Sequence, residues 1–240
     1  MTDVVRASNG ALTSEPILEA VGLSVGYGPI PVVSEIDLVV RPGEMVAILG
    51  ANGAGKTTTL LGLAGELKPT AGVVRLSGQV VTKPLHVRCA NGMAFVTEEK
   101  SVIFGLSVIE NLRLGRGDID LAFELFPELE PLRRRKAGLL SGGEQQILTL
   151  ARALSRQPNV LMADELSLGL APLVVERLVH ALRTATERGV GVLLVEQQVR
   201  TALTACDRGY VLRRGRVVLE GPSSDLLKRI DEIEATYLSN

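Results

Sequence analysis

Cysteine is scarce: Cys89 and Cys206 stand far apart, with no CxxC or Cys/His spacing around either. That excludes a thiolate metal site and a redox pair, and leaves two small buried side chains in a reducing cytosol. Histidine is as rare, and His86 and His180 fall in no motif, so both read as surface or packing residues. Long apolar runs are absent too. The longest, Met45 to Leu49 and Val192 to Val195, are strand-sized, whereas a membrane span needs about 20 apolar residues. Neither sign of charge dominates: 26 basic against 27 acidic residues carry no footprint for nucleic acid or for an anionic membrane surface. Internal repeats, low-complexity tracts and long heptad runs are missing as well. Before Ile17 there is no apolar signal core, so residues 1–16 are expected to form a disordered tail and not a secretion signal.

What is present is enough hydrophobic content, 46 % over 240 residues, for one large domain or one domain with a subdomain. β-rich runs from Ile17 to Val25 and Val32 to Val40 predict a hairpin-like antiparallel start, closed by the turn Arg41-Pro42-Gly43-Glu44. Met45 to Leu49 is a continuous apolar run, the pattern of a strand buried on both faces of a parallel sheet. A helix is expected from about Lys56 to Gly65. Strand signals return at Val73 to Leu76 and Met93 to Val96, followed by helical spacing between Ser107 and Leu154 that includes Leu121, Leu125 and Leu132. Asn159 to Ala163 and Val190 to Val195 are again buried parallel-type strands. The helix between them is marked by Pro172 at its start and Gly189 at its end. A hairpin from Tyr210 to Glu220, turning at Arg214-Gly215, and a helix from about Ser224 to Tyr237 complete an α/β pattern.

Between the Met45 strand and the Lys56 helix lies Gly50-Ala51-Asn52-Gly53-Ala54-Gly55-Lys56-Thr57, a match to G-x-x-x-x-G-K-[ST] in the strand-to-helix context that its mechanism needs. Glycines let the backbone wrap a phosphate so that successive N–H groups and the helix dipole face the anion. Gly50, Asn52, Gly53, Gly55, Lys56, Thr57 and Thr58 are the candidate nucleotide contacts. Lys56 would supply charge to the β- and γ-phosphates and Thr57 a hydroxyl to Mg²⁺. By itself the loop establishes a nucleoside triphosphate site.

Val160-Leu161-Met162-Ala163-Asp164-Glu165 ends a buried strand with adjacent acids, which a purely structural strand rarely tolerates. Side chains diverge at a strand end, so Asp164 can hold Mg²⁺ through water while Glu165 polarises the attacking water. An acidic helix cap after a strand is the alternative.

Between these two motifs stands Leu140-Ser141-Gly142-Gly143-Glu144-Gln145-Gln146, followed by Ala151-Arg152-Ala153-Leu154, and here the sequence resembles the ABC ATPase family. Ser141, Gly142 and Gly143 should open a helix with free N–H groups, a second anion site that the chain's own nucleotide does not need. In the family this turn completes the ATP site of the opposite subunit. The resemblance covers residues 17–240. It looks closest to the ATPase subunits of branched-chain, or hydrophobic, amino-acid importers, on Glu124-Leu125-Phe126-Pro127, Ala137-Gly138-Leu139 with the signature run, Ser167-Leu168-Gly169-Leu170-Ala171-Pro172, and Val195-Glu196-Gln197.

The resemblance implies a P-loop NTPase core with an antiparallel β subdomain and a helical signature subdomain at about 107–154. It implies ATP and Mg²⁺ as cofactors, Tyr27 stacking on adenine, and Glu98 linking Mg²⁺ and water to a membrane subunit. It also gives Gln197 the contact to the γ-phosphate, beside Lys56 and Glu165 in catalysis. The implied partners are transmembrane permease subunits, a sister ATPase subunit or second copy, and indirectly an external solute-binding protein; nucleic acid is not among them. The implied location is peripheral, on the cytoplasmic face of the inner membrane. Glu98 stands in place of the general glutamine, Glu144 in place of the signature's glutamine, Leu166 in place of a proline and Gln197 in place of a histidine. Around Glu98, Thr97 and Glu99-Lys100 also depart from the importer pattern. The other readings are a soluble ABC ATPase outside transport, against which no coiled coil, zinc insertion or second ATPase unit is visible, and a weakly hydrolysing regulator.

Overall fold

The computed structural model describes residues 15–99 and 101–238. The expected tail at 1–16 therefore lies, up to residue 14, outside the described residues. Strands β1 (Leu18–Val25) and β2 (Val33–Val40) pair antiparallel, as the opening pattern predicts, and β3 (Met45–Leu49) follows. Then come α1 (Lys56–Ala64), β4 (Ala71–Leu76), β5 (Gln79–Val80), α2 (Leu85–Ala90) and β6 (Met93–Val96). A helical stretch holds α3 (Val108–Leu114), α4 (Ile119–Leu125) and α5 (Gly142–Leu154), with 3₁₀ turns at Pro127–Leu129 and Ala137–Leu139. The chain finishes with β7 (Val160–Asp164), α6 (Pro172–Glu187), β8 (Gly191–Glu196), α7 (Val199–Ala205), the hairpin β9 (Arg208–Arg213) and β10 (Arg216–Pro222), α8 (Ser223–Leu226), a 3₁₀ turn and α9 (Ile230–Leu238).

Two sheets result. The four-stranded one has the order β2-β1-β4-β5 and is antiparallel; the six-stranded one has the order β10-β9-β3-β8-β7-β6 and is parallel except for β10. β3 is central in the larger sheet and wholly buried. Its alternate residues serve two cores: Met45, Ala47 and Leu49 face the cluster packed by the helical stretch, α6 and α7, whereas Val46 and Ile48 face the cluster shared with α1 and the small sheet. A run buried on both faces needs no polar alternation, which is why it reads as an unbroken apolar segment.

One guanidinium ties the sheets together. Arg208 of β9 donates to Glu44 (2.5 Å), to the Val39 carbonyl (2.7 Å) and to the Tyr210 hydroxyl (3.0 Å), and that hydroxyl accepts from Val39 N–H (3.1 Å). A second, Arg88, is nearly fully buried and donates to the carbonyls of Leu63, Lys83 and Val81. Leu63 lies in the last turn of α1, whose carbonyls lack intrahelical donors, so Arg88 fastens the end of the phosphate-loop helix to the β5–α2 connection.

Three elements escape the sequence reading. β5 has two residues. α2 buries only Arg88, so it has no apolar stripe to betray it. α7 is a seven-residue helix without a side-chain cap. The expected single helix from Ser224 to Tyr237 is broken into α8, the 3₁₀ turn Leu227–Arg229 and α9. Leu226, Ile230 and Ile233 are nevertheless all buried in the core, at the i, i+4, i+7 spacing of one helical face, so the apolar stripe runs on through the 3₁₀ turn.

Candidate nucleotide site

The loop between β3 and α1 is shaped by what cannot be added to it. A Cβ on Gly50 would come within 2.6 Å of the Leu212 carbonyl oxygen. Gly55, at φ 103°, would drive a Cβ to 2.3 Å from Val33. Asn52 and Gly53 form the exposed tip, Thr57 is exposed, and Thr58 is buried behind it. Lys56 folds back into the loop, donating to the carbonyls of Gly50 (2.8 Å) and Ala51 (3.2 Å), with its Nζ 3.9 Å from Glu165. Burial lowers its pKa, against the pull of Glu165, Asp164 and Glu196. A buried ammonium is thus held by two loop carbonyls and a nearby carboxylate, charge-assisted contacts that offset part of its desolvation.

Asp164 ends β7 next to β8 and is 3 % exposed; its Oδ1 has no hydrogen-bond partner among the described residues. Burial raises its pKa, against a hydrogen bond from the Thr57 side chain. Among the described residues no three His, Cys, Asp or Glu side chains cluster as a metal cage. Mg²⁺ does not require one, because it takes one or two protein oxygens and completes its octahedron with phosphates and water. An orphaned carboxylate oxygen beside a threonine hydroxyl fits that demand.

Glu165 follows with φ 48°, a left-handed conformation rare for a residue with a side chain. Its Oε1 accepts from Gln197 Nε2 at 2.6 Å. Gln197 thus holds the Glu165 carboxylate. Leu166, in the proline's place, is buried in the larger core. Glu98, exposed after β6, makes no side-chain hydrogen bond among the described residues, yet its charge reaches Asp164. Tyr27 stands 69 % exposed on the β1–β2 connection. The start of β2, just after that connection, is joined to the loop through Ser34 N–H to Gly215 O (2.8 Å) and Gly215 N–H to Ala54 O (3.0 Å).

Sequence reasoning passed over Glu196 and Ser167 as site residues. Glu196 ends β8, is 7 % exposed, and accepts from Ser167 Oγ (2.7 Å) and Ser167 N–H (3.2 Å). Burial raises its pKa while the two Ser167 bonds lower it. The signal was there: like Asp164, it is an acid closing a buried parallel strand.

Ser141, Gly142 and Gly143 do not join this cluster. Among the described residues no hydrogen bond or ion pair links them to the phosphate loop or the acid pair. Ser141 is the N-cap of α5 in a capping box: Ser141 N–H donates to Glu144 (2.6 Å) and Glu144 N–H to Ser141 Oγ (3.3 Å). The glutamate in the signature's glutamine position thus closes the cap. Gly142 and Gly143 supply the first two helical N–H groups.

A glycine loop between a central parallel strand and a helix, a lysine at the start of that helix, and an acid pair at the end of β7, one strand removed across β8, together define a P-loop nucleoside triphosphatase. Residues 33–167 match the family model described as ABC transporter. The chain is 38 % identical to the high-affinity branched-chain amino acid transport ATP-binding protein BraG of Pseudomonas aeruginosa, over 85 % of this chain and 92 % of that one. It is 33 % identical to the lipopolysaccharide export system ATP-binding protein LptB of Escherichia coli, over 92 % and 96 %. Among solved structures, the dimeric ATP-binding cassette MJ0796 in a post-hydrolysis state with ADP and phosphate matches with a TM-score of 0.75 at 25 % identity, covering 86 % of this chain and 98 % of that one. The chain belongs to the ABC transporter ATP-binding family and is an ATP-hydrolysing transport ATPase.

Proposed function

We propose that two such subunits, or one with a sister subunit, close over two MgATP on the cytoplasmic face of the inner membrane. Closure would drive uptake of a branched-chain or hydrophobic amino acid through a permease served by an external binding protein. The reading takes residues 17–240 as one ABC ATPase domain with its helical part at about 107–154. One observation carries it: the first two N–H groups of α5, on Gly142 and Gly143, have no partner among the described residues, and no residue of the chain's own nucleotide site contacts them. An anion-binding helix start unused by its own chain fits a site completed by another subunit.

In this reading the Gly50–Gly55 N–H groups cradle the phosphates, Lys56 leaves its loop carbonyls for the β- and γ-oxygens, and Tyr27 takes the adenine on its exposed ring. Thr57 and Asp164 would hold Mg²⁺, which supplies charge neutralisation at the β- and γ-phosphates. Glu165, released by Gln197, orients the attacking water, and Gln197 turns its amide to the γ-phosphate. Ser141, Gly142 and Gly143 meet that phosphate from across the dimer. Glu98 and the exposed Ile103, Phe104 and Leu139 face the permease. Among the described residues no helix is long and apolar enough to cross a membrane, so translocation would fall to other chains. Uptake is supported by the name and 38 % identity of BraG, against 33 % for the exporter LptB.

The test is size-exclusion chromatography of Glu165→Gln with and without MgATP, alone and with candidate sister subunits. The expected outcome is an ATP-dependent dimer with turnover lowered at least about 100-fold, the scale of removing one transition-state group. A monomer in every condition, or native turnover, overturns the account.

A further inference from the structure

Glu165 holds a left-handed backbone conformation, at φ 48°, that residues with a side chain adopt only at a cost. Such strain persists only where the surroundings over-determine it. Here the turn 165–167 is tied down at both ends to the end of β8. At one end Glu165 N–H donates to the Val195 carbonyl at 2.9 Å. At the other, Ser167 gives its N–H and its hydroxyl to the two oxygens of Glu196, the next residue along β8. Between them Leu166 is buried in the core. The Ser167–Glu196 contact is a local carboxylate clamp on the very turn that aims the Glu165 side chain.

We infer that Glu196 and Ser167 are positioning residues for ATP hydrolysis: the Glu196 carboxylate clamps Ser167 so that Glu165 keeps its left-handed backbone and its carboxylate stays aimed into the site. Neither residue touches nucleotide in this account. Both act through Glu165, so the inference rests on Glu165 being the residue that orients the attacking water. A carboxylate suits the task better than an amide because both oxygens accept, and Ser167 offers two donors to one group.

The experiment measures kcat and KM for ATP, with thermal midpoints, for Ser167→Ala, Ser167→Thr, Glu196→Gln and Ser167→Ala/Glu196→Gln, beside Glu165→Gln. Ser167→Ala and Glu196→Gln are each expected to lower kcat roughly 10-fold, the scale of one hydrogen bond to a charged group, with KM within about twofold of native. Ser167→Thr, which keeps both donors, is expected to stay within about threefold of native. The double variant is expected to be no slower than the worse single one, since both act on one clamp. Native kcat in both single variants overturns the inference, and so does a fall in kcat matched by a rise in KM or by loss of the folded state in Ser167→Ala. Native turnover in Glu165→Gln defeats the underlying reading instead, and is distinguishable because it fails before the clamp variants are compared.

Discussion

Two helices of the same stretch begin with the same device. Ser107 caps α3 and Ser141 caps α5, each in a serine–glutamate capping box with the glutamate three residues on. The difference lies in the two residues after the cap. In α3 they are Val108 and Ile109, whose N–H groups donate to the carbonyls of Arg135 and Arg133 at 3.0 Å each. In α5 they are Gly142 and Gly143, and no carbonyl reaches them among the described residues. A capping box therefore satisfies only part of a helix start. Whether the start is structural or is an anion site is decided by what the chain does with the next two donors.

The same contrast separates the phosphate loop from the signature turn. The loop is enclosed by its own chain, with Leu212 and Val33 against its glycines and Lys56 bonded inside it. The signature turn is open, its Gly142 and Gly143 N–H groups without partners among the described residues. The largest expected effect is on the enclosed half: Lys56→Ala removes its one buried cation and should lower ATPase turnover at least about 100-fold, measured as phosphate release. More than about a tenth of native activity would break the distinction.

Next in size is a matched pair of variants. Ser141→Arg should fill the open turn and lower turnover at least about 10-fold while the isolated chain still binds ATP. Ser107→Ala should cost only about 1 kcal/mol of stability with activity retained. Equal losses of turnover from both would mean that α5, like α3, is merely capped. Smallest is Asp164→Asn. Burial raises the pKa of this carboxyl, so its charged form costs stability. That cost is absent below the ordinary carboxylate range, sets in as pH rises through that range, and is fully present above the raised folded value. The nucleotide-free variant should therefore be more stable than native at neutral pH, with the gain fading in acid, as thermal midpoints across pH would register.

Motifs that lie contiguous in sequence were legible beforehand. The glycine loop, the acid pair and the signature run each carry spacing and context in one short segment, and β3 and β6 have the expected bounds because an unbroken apolar run leaves little choice. Relations made across the fold were not legible. Ser167 meets Glu196 across 29 positions, and Gln197 meets Glu165 across 32. No periodicity records such pairings, since they depend on β7 lying beside β8. Nor does a capping box reveal whether the following N–H groups are taken, because the carbonyls that take them in α3 belong to a loop some 25 positions later. α2 stayed hidden because its buried side chain is an arginine whose partners are backbone carbonyls.

The guanidinium of Arg208 links two sheets that also share one core, and Gly215 joins the start of β2 to the phosphate loop. The β1–β2 connection with its exposed Tyr27 and the loop with Lys56 are thereby mounted on a single frame, like the two jaws of a fixed gauge. In the proposed reading a nucleotide held by Tyr27 and Lys56 would span that frame, and a change in its length would have to be met by side-chain movement or by breaking the bonds that Arg208 and Gly215 make. Length would then become a means of discrimination, exercised by residues that do not meet the nucleotide.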